Sequence, residues 1–258
     1  MPLILNDQHI NNTIKTVIEY FEIMFNEKIN DINIYPSDDV DEDTSLFIVV
    51  KEKLKMNPNG RFIEPNEISP NSTILIKYDL FYKDGYPAIS TLIHELTHAS
   101  DYKKFCNEYC NGNWSSIREQ PIFNAMYYWS EYHARITQII HMRVLLSIIL
   151  SDESIAEKQS VKEEFLKYQL PRYKQELISA LNSNNDVFDL VEIFKYCARF
   201  YICQYYNNEL KIEEHIPECV FKYFPDIIKL YYDLLPMQSY EDASKNFKYL
   251  SLMLWRFS

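Results

Sequence analysis

The 258-residue sequence predicts a mostly helical α+β protein, and three observations support this. Only three glycines occur, against about 18 expected from average usage, so few tight turns are available. Hydrophobic residues recur with helical spacing over most of the chain from Pro87 onward. Short β-like runs are confined to the first 80 or so residues.

The elements of the first part alternate between helix and strand. Residues 8–27 carry hydrophobic residues at helical spacing and predict the first helix. Three β-like runs follow, separated by Pro, Asn and Asp: Ile32–Tyr35, Ser45–Val50 and Thr73–Tyr78. The acidic run Asp38–Asp43 lacks the Gly and the spacing of an EF-hand loop, so we expect a solvated loop there rather than a calcium site.

The later part predicts only helices, because its hydrophobic spacing is helical throughout. Pro87 and Pro121 suit first-turn positions of two of these helices. The expected ranges are 87–106, 121–150, 153–182, 186–208, 217–234 and 240–256. A small mixed α/β part, about residues 1–110, is therefore followed by a helical part.

Composition and charge exclude several classes of function. The 26 basic and 37 acidic residues give a net charge of −11, which argues against sequence-independent nucleic-acid binding. The isolated glycines cannot form a GxGxxG motif or a P-loop. We see neither a secretory signal nor a hydrophobic run long enough to span a membrane. A cytoplasmic protein is expected, and export by a signal-free route stays open.

The five cysteines do not indicate a disulfide framework. Cys106 and Cys110 lie four residues apart and are compatible with a metal or redox pair. We favour small buried hydrophobic side chains near a helix end.

The chemistry is predicted by an HExxH motif, His94-Glu95-Leu96-Thr97-His98. On a helix, residues i and i+4 share a face, so both imidazoles can bind one metal ion. Glu95 can then accept a proton from a water on that metal. At 100° per residue, one face of this helix is hydrophobic and the opposite face carries the histidines, which we expect to border an open cleft. The hydrophobic face comprises Ala88, Ile89, Leu92, Ile93, Leu96 and Ala99. The alternative is a surface helix with two exposed histidines.

A catalytic zinc normally has three protein ligands, and three residues are candidates for the third. Asp101 shares the histidine face but lies one turn along the axis, which suits a hydrogen bond that fixes the tautomer of His98. Glu131 lies on a largely polar stripe of the next helix, whereas His133 lies on its far side. We therefore prefer Glu131. The alternative for Glu131 is an ion pair with Arg135 on a solvated helix.

Three more residues of that helix are candidates for the site. Tyr127 and Tyr128 lie one turn before Glu131, so either is a possible oxyanion donor; both are equally compatible with packing in a core. Arg135 lies one turn after Glu131. It could bind a substrate carboxylate, or pair with Asp101 or Glu131.

The stretch His94–Ala99 is identical to the active-site stretch typical of thermolysin-like peptidases. Together with Glu131-Tyr132-His133-Ala134, the region also resembles the catalytic domain of anthrax lethal factor. Both are gluzincins, with HExxH on one helix and a Glu ligand on a following helix. The resemblance covers residues 87–135 and implies a zincin-like fold with a small twisted sheet over the HExxH helix. The spacing from His98 to Glu131 is longer than in thermolysin, and Arg135 replaces the Asp found there four residues after the ligand Glu.

These observations predict a zinc-dependent metallopeptidase acting on a peptide or protein. The core would span residues 1–150, followed by a helical subdomain over 151–258. Zn²⁺ would be held by His94, His98 and Glu131, with Glu95 as general base. The main alternative is a non-catalytic, zinc-binding, peptidase-like interaction protein. A structural helical protein with a fortuitous motif also stays open. A deformylase-like enzyme needs a Cys ligand before the metal helix, and no Cys precedes Cys106.

Overall fold

A computed structural model describes residues 8–47, 59–81, 86–155, 158–183 and 190–255. The chain is mostly helical with one small mixed sheet, so the predicted α+β class is confirmed. It divides into two compact units, Met1–Arg118 and Glu119–Ser258. The assignment of a peptidase core to residues 1–150 and a subdomain to 151–258 stays a prediction.

The first unit contains three helices and a three-stranded sheet within its described residues. The elements are α1 (Gln8–Phe25), β1 (Ile32–Ser37), α2 (Val40–Phe47), β2 (Gly60–Ile63), β3 (Ser72–Lys77), a 3₁₀ turn (Tyr78–Phe81) and α3 (Tyr86–Cys110). The strand order is β1-β3-β2. β1 is parallel to β3 and pairs Ile32 with Ser72, whereas β2 is antiparallel to β3 and pairs Gly60 with Ile76. β2 is therefore an edge strand among the described residues.

The two outer β-like runs are confirmed as β1 and β3, but the run Ser45–Val50 is not a strand where it is described. Residues 45–47 belong to α2, and residues 48–50 lie outside the described residues. Asp39 explains the helix, because its Oδ1 accepts hydrogen bonds of 3.0 Å from the backbone nitrogens of Asp41 and Glu42. Acidic residues in the first turn add a favourable charge–dipole interaction. The acidic run is thus a helix start at Asp41–Asp43, not wholly a loop.

The core of the first unit forms where α3 packs against α1, β2 and β3. Val17 and Phe21 of α1, Ile74 of β3 and Leu92 of α3 are all at most 1% exposed. Glu27, just after α1, accepts a 2.5 Å hydrogen bond from Ser100 Oγ on α3. The helix α3 is therefore anchored by hydrophobic packing and by this hydrogen bond.

The second unit is helical throughout its described residues. A 3₁₀ turn (Trp114–Glu119) precedes its first helix. The elements are α4 (Phe123–Leu150), a 3₁₀ turn (Glu153–Ile155), α5 (Lys158–Glu164), a π-helical turn (Phe165–Gln169), α6 (Leu170–Ser183), α7 (Leu190–Tyr206), a 3₁₀ turn (Ile212–Glu214), α8 (Glu218–Tyr223), α9 (Ile227–Leu234), α10 (Tyr240–Ser244) and α11 (Phe247–Leu254).

Three of the long helices predicted for this unit are divided. The range 153–182 contains the π-helical turn between α5 and α6, and 240–256 is interrupted between α10 and α11. The range 217–234 breaks at Phe224, whose backbone is extended (φ −140°, ψ 79°). Pro225 explains this break, because a proline disfavours helical geometry in the residue before it. Hydrophobic periodicity alone does not reveal where a long predicted helix is interrupted.

Trp129 of α4 lies at the centre of the helical core. Its side chain is fully buried, and Nε1 donates a 2.9 Å hydrogen bond to the carbonyl of Met237. Tyr240 and Phe247 lie edge-on to its ring, at centroid distances of 6.2 and 5.6 Å. α4 also packs along α7, where the ring of Tyr128 stacks on Phe194. Within the described residues, every helix is too short or too polar to cross a bilayer.

Candidate metal centre

His94 and His98 direct their Nε2 atoms at each other from successive turns of α3. The two nitrogens are 3.1 Å apart, and the rings are nearly perpendicular, at 89°. Two imidazole nitrogens on one tetrahedral zinc, each bound at 2.0–2.1 Å, would be separated by roughly 3.3–3.4 Å. The pair therefore fits a zinc ion with an adjustment of a few tenths of an ångström.

The side chains on the motif face of α3 are buried. His94, Glu95 and His98 are 9, 7 and 7% exposed, and Asp101 is 1% exposed. The alternative of a surface helix with two exposed histidines is therefore wrong, whereas the cleft expected beside this face stays a prediction. The six hydrophobic residues predicted for the opposite face are all buried, as expected. Buried polar side chains need partners, which is the environment that a metal ion or a hydrogen-bond network supplies.

Glu95 is held in place by the edge strand. Its Oε2 accepts a 2.8 Å hydrogen bond from the backbone nitrogen of Phe62 on β2. This N–H group points at the Glu95 carboxylate on α3. The main chain of β2 therefore fixes the Glu95 carboxylate, and no second side chain has to be ordered to hold it.

Gly60 explains how β2 approaches α3 so closely. A Cβ at this position would collide with Thr91 Cγ2, one turn before Glu95 on α3. It would also lie 3.0 Å from Ile76 Cδ1 and 3.1 Å from the Leu75 carbonyl oxygen. The absence of a side chain thus permits the Phe62–Glu95 hydrogen bond. Sequence reasoning missed both Gly60 and β2, because a four-residue strand gives almost no periodic signal.

An aromatic contact supports the second histidine. Tyr102, one turn after His98 on α3, lies edge-on to its ring at 6.3 Å. The same tyrosine lies edge-on to Phe62 at 5.2 Å. Phe62 therefore contacts α3 in two ways. Its ring packs against Tyr102, and its backbone nitrogen donates to Glu95.

Glu131 completes a group that could hold a metal ion. The ligand atoms of His94, His98 and Glu131 all lie within 4.8 Å of one another. Glu131 is half-buried on α4. His133, the other candidate on that helix, stacks on Trp129 at a centroid distance of 4.8 Å and an angle of 18°. This places the His133 ring against the helical core, as the helical spacing predicted.

The remaining candidate residues have identifiable surroundings. The ring of Tyr128 stacks on Phe194, and Tyr127 stacks on Phe123, so packing accounts for part of their role. Arg135 Nη1 donates a 2.6 Å hydrogen bond to Gln138 Oε1. Asp101 is buried on α3, and its hydrogen bond to His98 stays a prediction.

The two cysteines of α3 have the character of core side chains. Cys106 and Cys110 are both buried and reduced. Burial raises the pKa of the Cys106 thiol to about 11, with a smaller contribution from Cys110. A thiol with such a pKa is a poor nucleophile at neutral pH. This supports the packing interpretation over a redox pair.

No family model, curated protein or solved structure matches this chain.

Proposed function

We propose that this protein is a zinc-dependent metallopeptidase. The observation that carries the proposal is the pair of Nε2 atoms 3.1 Å apart, with Glu131 in the same ligand group and Glu95 fixed beside them. Two imidazoles and one carboxylate are a ligand set of catalytic zinc sites, which leave a fourth position for water or substrate. We further propose that the fold around them is zincin-like.

The metal in this proposal is zinc, held by His94, His98 and Glu131. A bound zinc ion would supply Lewis acidity, lowering the pKa of a water and polarising the scissile carbonyl. The histidine pair suits the ion because its two Nε2 atoms, 3.1 Å apart, lie within a few tenths of an ångström of the tetrahedral spacing. Glu131 would add one negative charge and offset part of the ion's charge within a buried site.

Glu95 is the general base in this mechanism. Its carboxylate would take a proton from the attacking water and then deliver it to the leaving amine. The hydrogen bond from the backbone nitrogen of Phe62 to Oε2 holds the Glu95 carboxylate in place. The backbone of β2 would therefore orient the base.

Three other residues have supporting roles. Tyr127 or Tyr128 would donate a hydrogen bond to the oxygen that becomes negative in the transition state. Asp101 would hydrogen-bond His98 and keep Nε2 directed at the metal. Arg135 would act on the substrate and not on the metal.

The proposal is tested with zinc-loaded protein and a pooled peptide library analysed by mass spectrometry. We expect defined cleavage products, loss of cleavage with a chelator, and recovery when zinc is returned. A protein that binds one zinc but cleaves nothing would instead be a peptidase-like binding protein. Cleavage that survives complete removal of metal would contradict the mechanism.

A further inference from the structure

Charged residues of α4 and α7 lie near Arg135 within the second unit. α7 packs against both α4 and α6. Arg135 lies one turn after Glu131 on α4. Arg199 of α7 lies near enough for its charge to act on Arg135. The region therefore contains two guanidinium groups close to a proposed zinc ligand.

The guanidinium of Arg135 is incompletely satisfied. Its Nη1 donates to Gln138 Oε1 at 2.6 Å. Its Nε is buried and has no hydrogen-bond partner in the described part of the chain. A buried donor without a partner costs free energy, and in native proteins such a group usually has a functional reason.

Glu176 of α6 and Glu192 of α7 form ion pairs with other basic residues. Glu176 pairs with Arg199 at 2.8 Å and with Arg172 at 2.7 Å. Glu192 pairs with Lys195 at 3.0 Å. Arg199 also lies over the ring of Tyr173, 5.0 Å from its centroid, which fixes its position.

Charges of both signs act on Arg135. Burial and the charge of Arg199 lower the pKa of Arg135, whereas Glu131 and Glu192 raise it. If Glu131 ligates zinc, the ion offsets its negative charge, which then no longer balances Arg135. The positive charge of Arg135 can then pair with another anion.

We propose that Arg135, supported by Arg199, binds a carboxylate of the peptide substrate. This inference rests on the proposed peptidase function. A guanidinium matches a carboxylate with two parallel hydrogen bonds, and Arg135 has unused donor capacity. Residues four apart on a helix have Cβ atoms about 6 Å apart, so the carboxylate would lie about one or two residues from the scissile bond. It would be either the C-terminal carboxylate or an Asp or Glu side chain.

The test compares matched substrates and matched arginines. One peptide pool is synthesised with a free C-terminal acid and again as the amide, and a second pool carries Glu or Gln at a fixed position. Arg135→Gln and Arg135→Lys are compared with Arg172→Gln, which removes an exposed guanidinium from α6. Preference for acid over amide identifies the C-terminal carboxylate, and preference for Glu over Gln identifies a side chain.

We expect Arg135→Gln to lower kcat/KM for the carboxylate form about ten- to hundredfold, the effect of losing charge-assisted hydrogen bonds, and to leave the neutral form nearly unchanged. Arg135→Lys should keep part of the preference, because it retains the charge without the paired donors. Arg172→Gln should change neither form. An equal loss on both forms, or a wild type without preference, would overturn the proposal while the peptidase function stands.

A wild type that cleaves no peptide would contradict the proposed function instead. Peptide binding would then test whether Arg135 forms a carboxylate site. Calorimetry with an N-acetylated tripeptide acid and its amide compares wild type with Arg135→Gln and Arg135→Lys. Tighter binding of the acid that depends on Arg135 supports the site. Equal binding of acid and amide, or binding that is unchanged in both variants, overturns it.

Discussion

The two helices that carry the site residues differ in how their functional side chains are held. On α3, the motif residues His94, Glu95 and His98 are buried, and Glu95 is bonded to the backbone of β2. On α4, Glu131 and Arg135 are only half-buried. What is deeply buried on α4 is the opposite face, where Trp129 packs in the helical core.

This difference separates two ways of positioning a reactive group. α3 is supported at its motif by the main chain of an edge strand, which fixes the carboxylate of Glu95. α4 is supported from behind, by the packing of Trp129 in the helical core. The comparison predicts that substitutions on α3 affect chemistry most, and that substitutions behind α4 affect stability most.

The largest effect is expected at Glu95. Glu95→Gln keeps the shape but cannot accept the proton, so peptide cleavage should fall about 10²- to 10⁴-fold while zinc stays bound. Activity and zinc content are measured on the same preparation. Glu108→Gln, which removes an exposed carboxylate from the same helix, should leave both unchanged. Full activity in Glu95→Gln would exclude this residue as the base.

Replacing Trp129 tests whether packing in the helical core supports α4. Trp129→Ala should lower the free energy of unfolding by about 3–5 kcal/mol, because it removes a fully buried aromatic side chain. Trp255, 78% exposed, is the matched control, and its replacement by Ala should cost about 0.5 kcal/mol or less. Urea unfolding measures both. Equal losses would show that α4 is not anchored through Trp129.

Replacing Gly60 tests whether β2 supports α3. Gly60→Ala should move β2 away from Thr91 and lower the free energy of unfolding by about 1–3 kcal/mol. It should also weaken the Phe62–Glu95 hydrogen bond and lower kcat. Gly112 has φ +80°, so Gly112→Ala should cost roughly 1 kcal/mol through backbone strain alone. Thermal unfolding and kcat are compared. A variant at Gly60 with normal kcat would contradict the role of β2.

The smallest effect concerns the cysteines. With a pKa of about 11, Cys106 is ionised to only about one part in a thousand at pH 8. Cys219 is exposed, and the other four cysteines are buried. A thiol reagent at pH 8 should therefore modify Cys219 rapidly and the rest only after unfolding. Rapid modification of Cys106 would contradict its place in the core.

The sequence predicted the elements with long, regular patterns. α1, α3 and α4 lie close to the expected ranges, and the hydrophobic face of α3 is buried as expected. Spacing also indicated Glu131 over His133, because helix geometry separates their faces by more than half a turn. These features depend on local periodicity, which a single sequence contains.

The features that were missed depend on contacts distant in sequence. The bond from Phe62 to Glu95 joins residues 33 positions apart, and β2 is too short to show a period. The start of α2 depends on the side chain of Asp39, which overrides the β-like composition of Ser45–Phe47. Two of the charges that act on Arg135, those of Arg199 and Glu192, come from α7. Periodicity cannot report such packing.

The central claim is a zinc site formed by His94, His98 and Glu131, and zinc content tests it most directly. Zinc per chain is measured by elemental mass spectrometry on wild type, Glu131→Ala and His133→Ala after reconstitution and dialysis. We predict about one zinc in wild type and in His133→Ala, with clear loss in Glu131→Ala. Full zinc in Glu131→Ala, or none in wild type, would contradict this account.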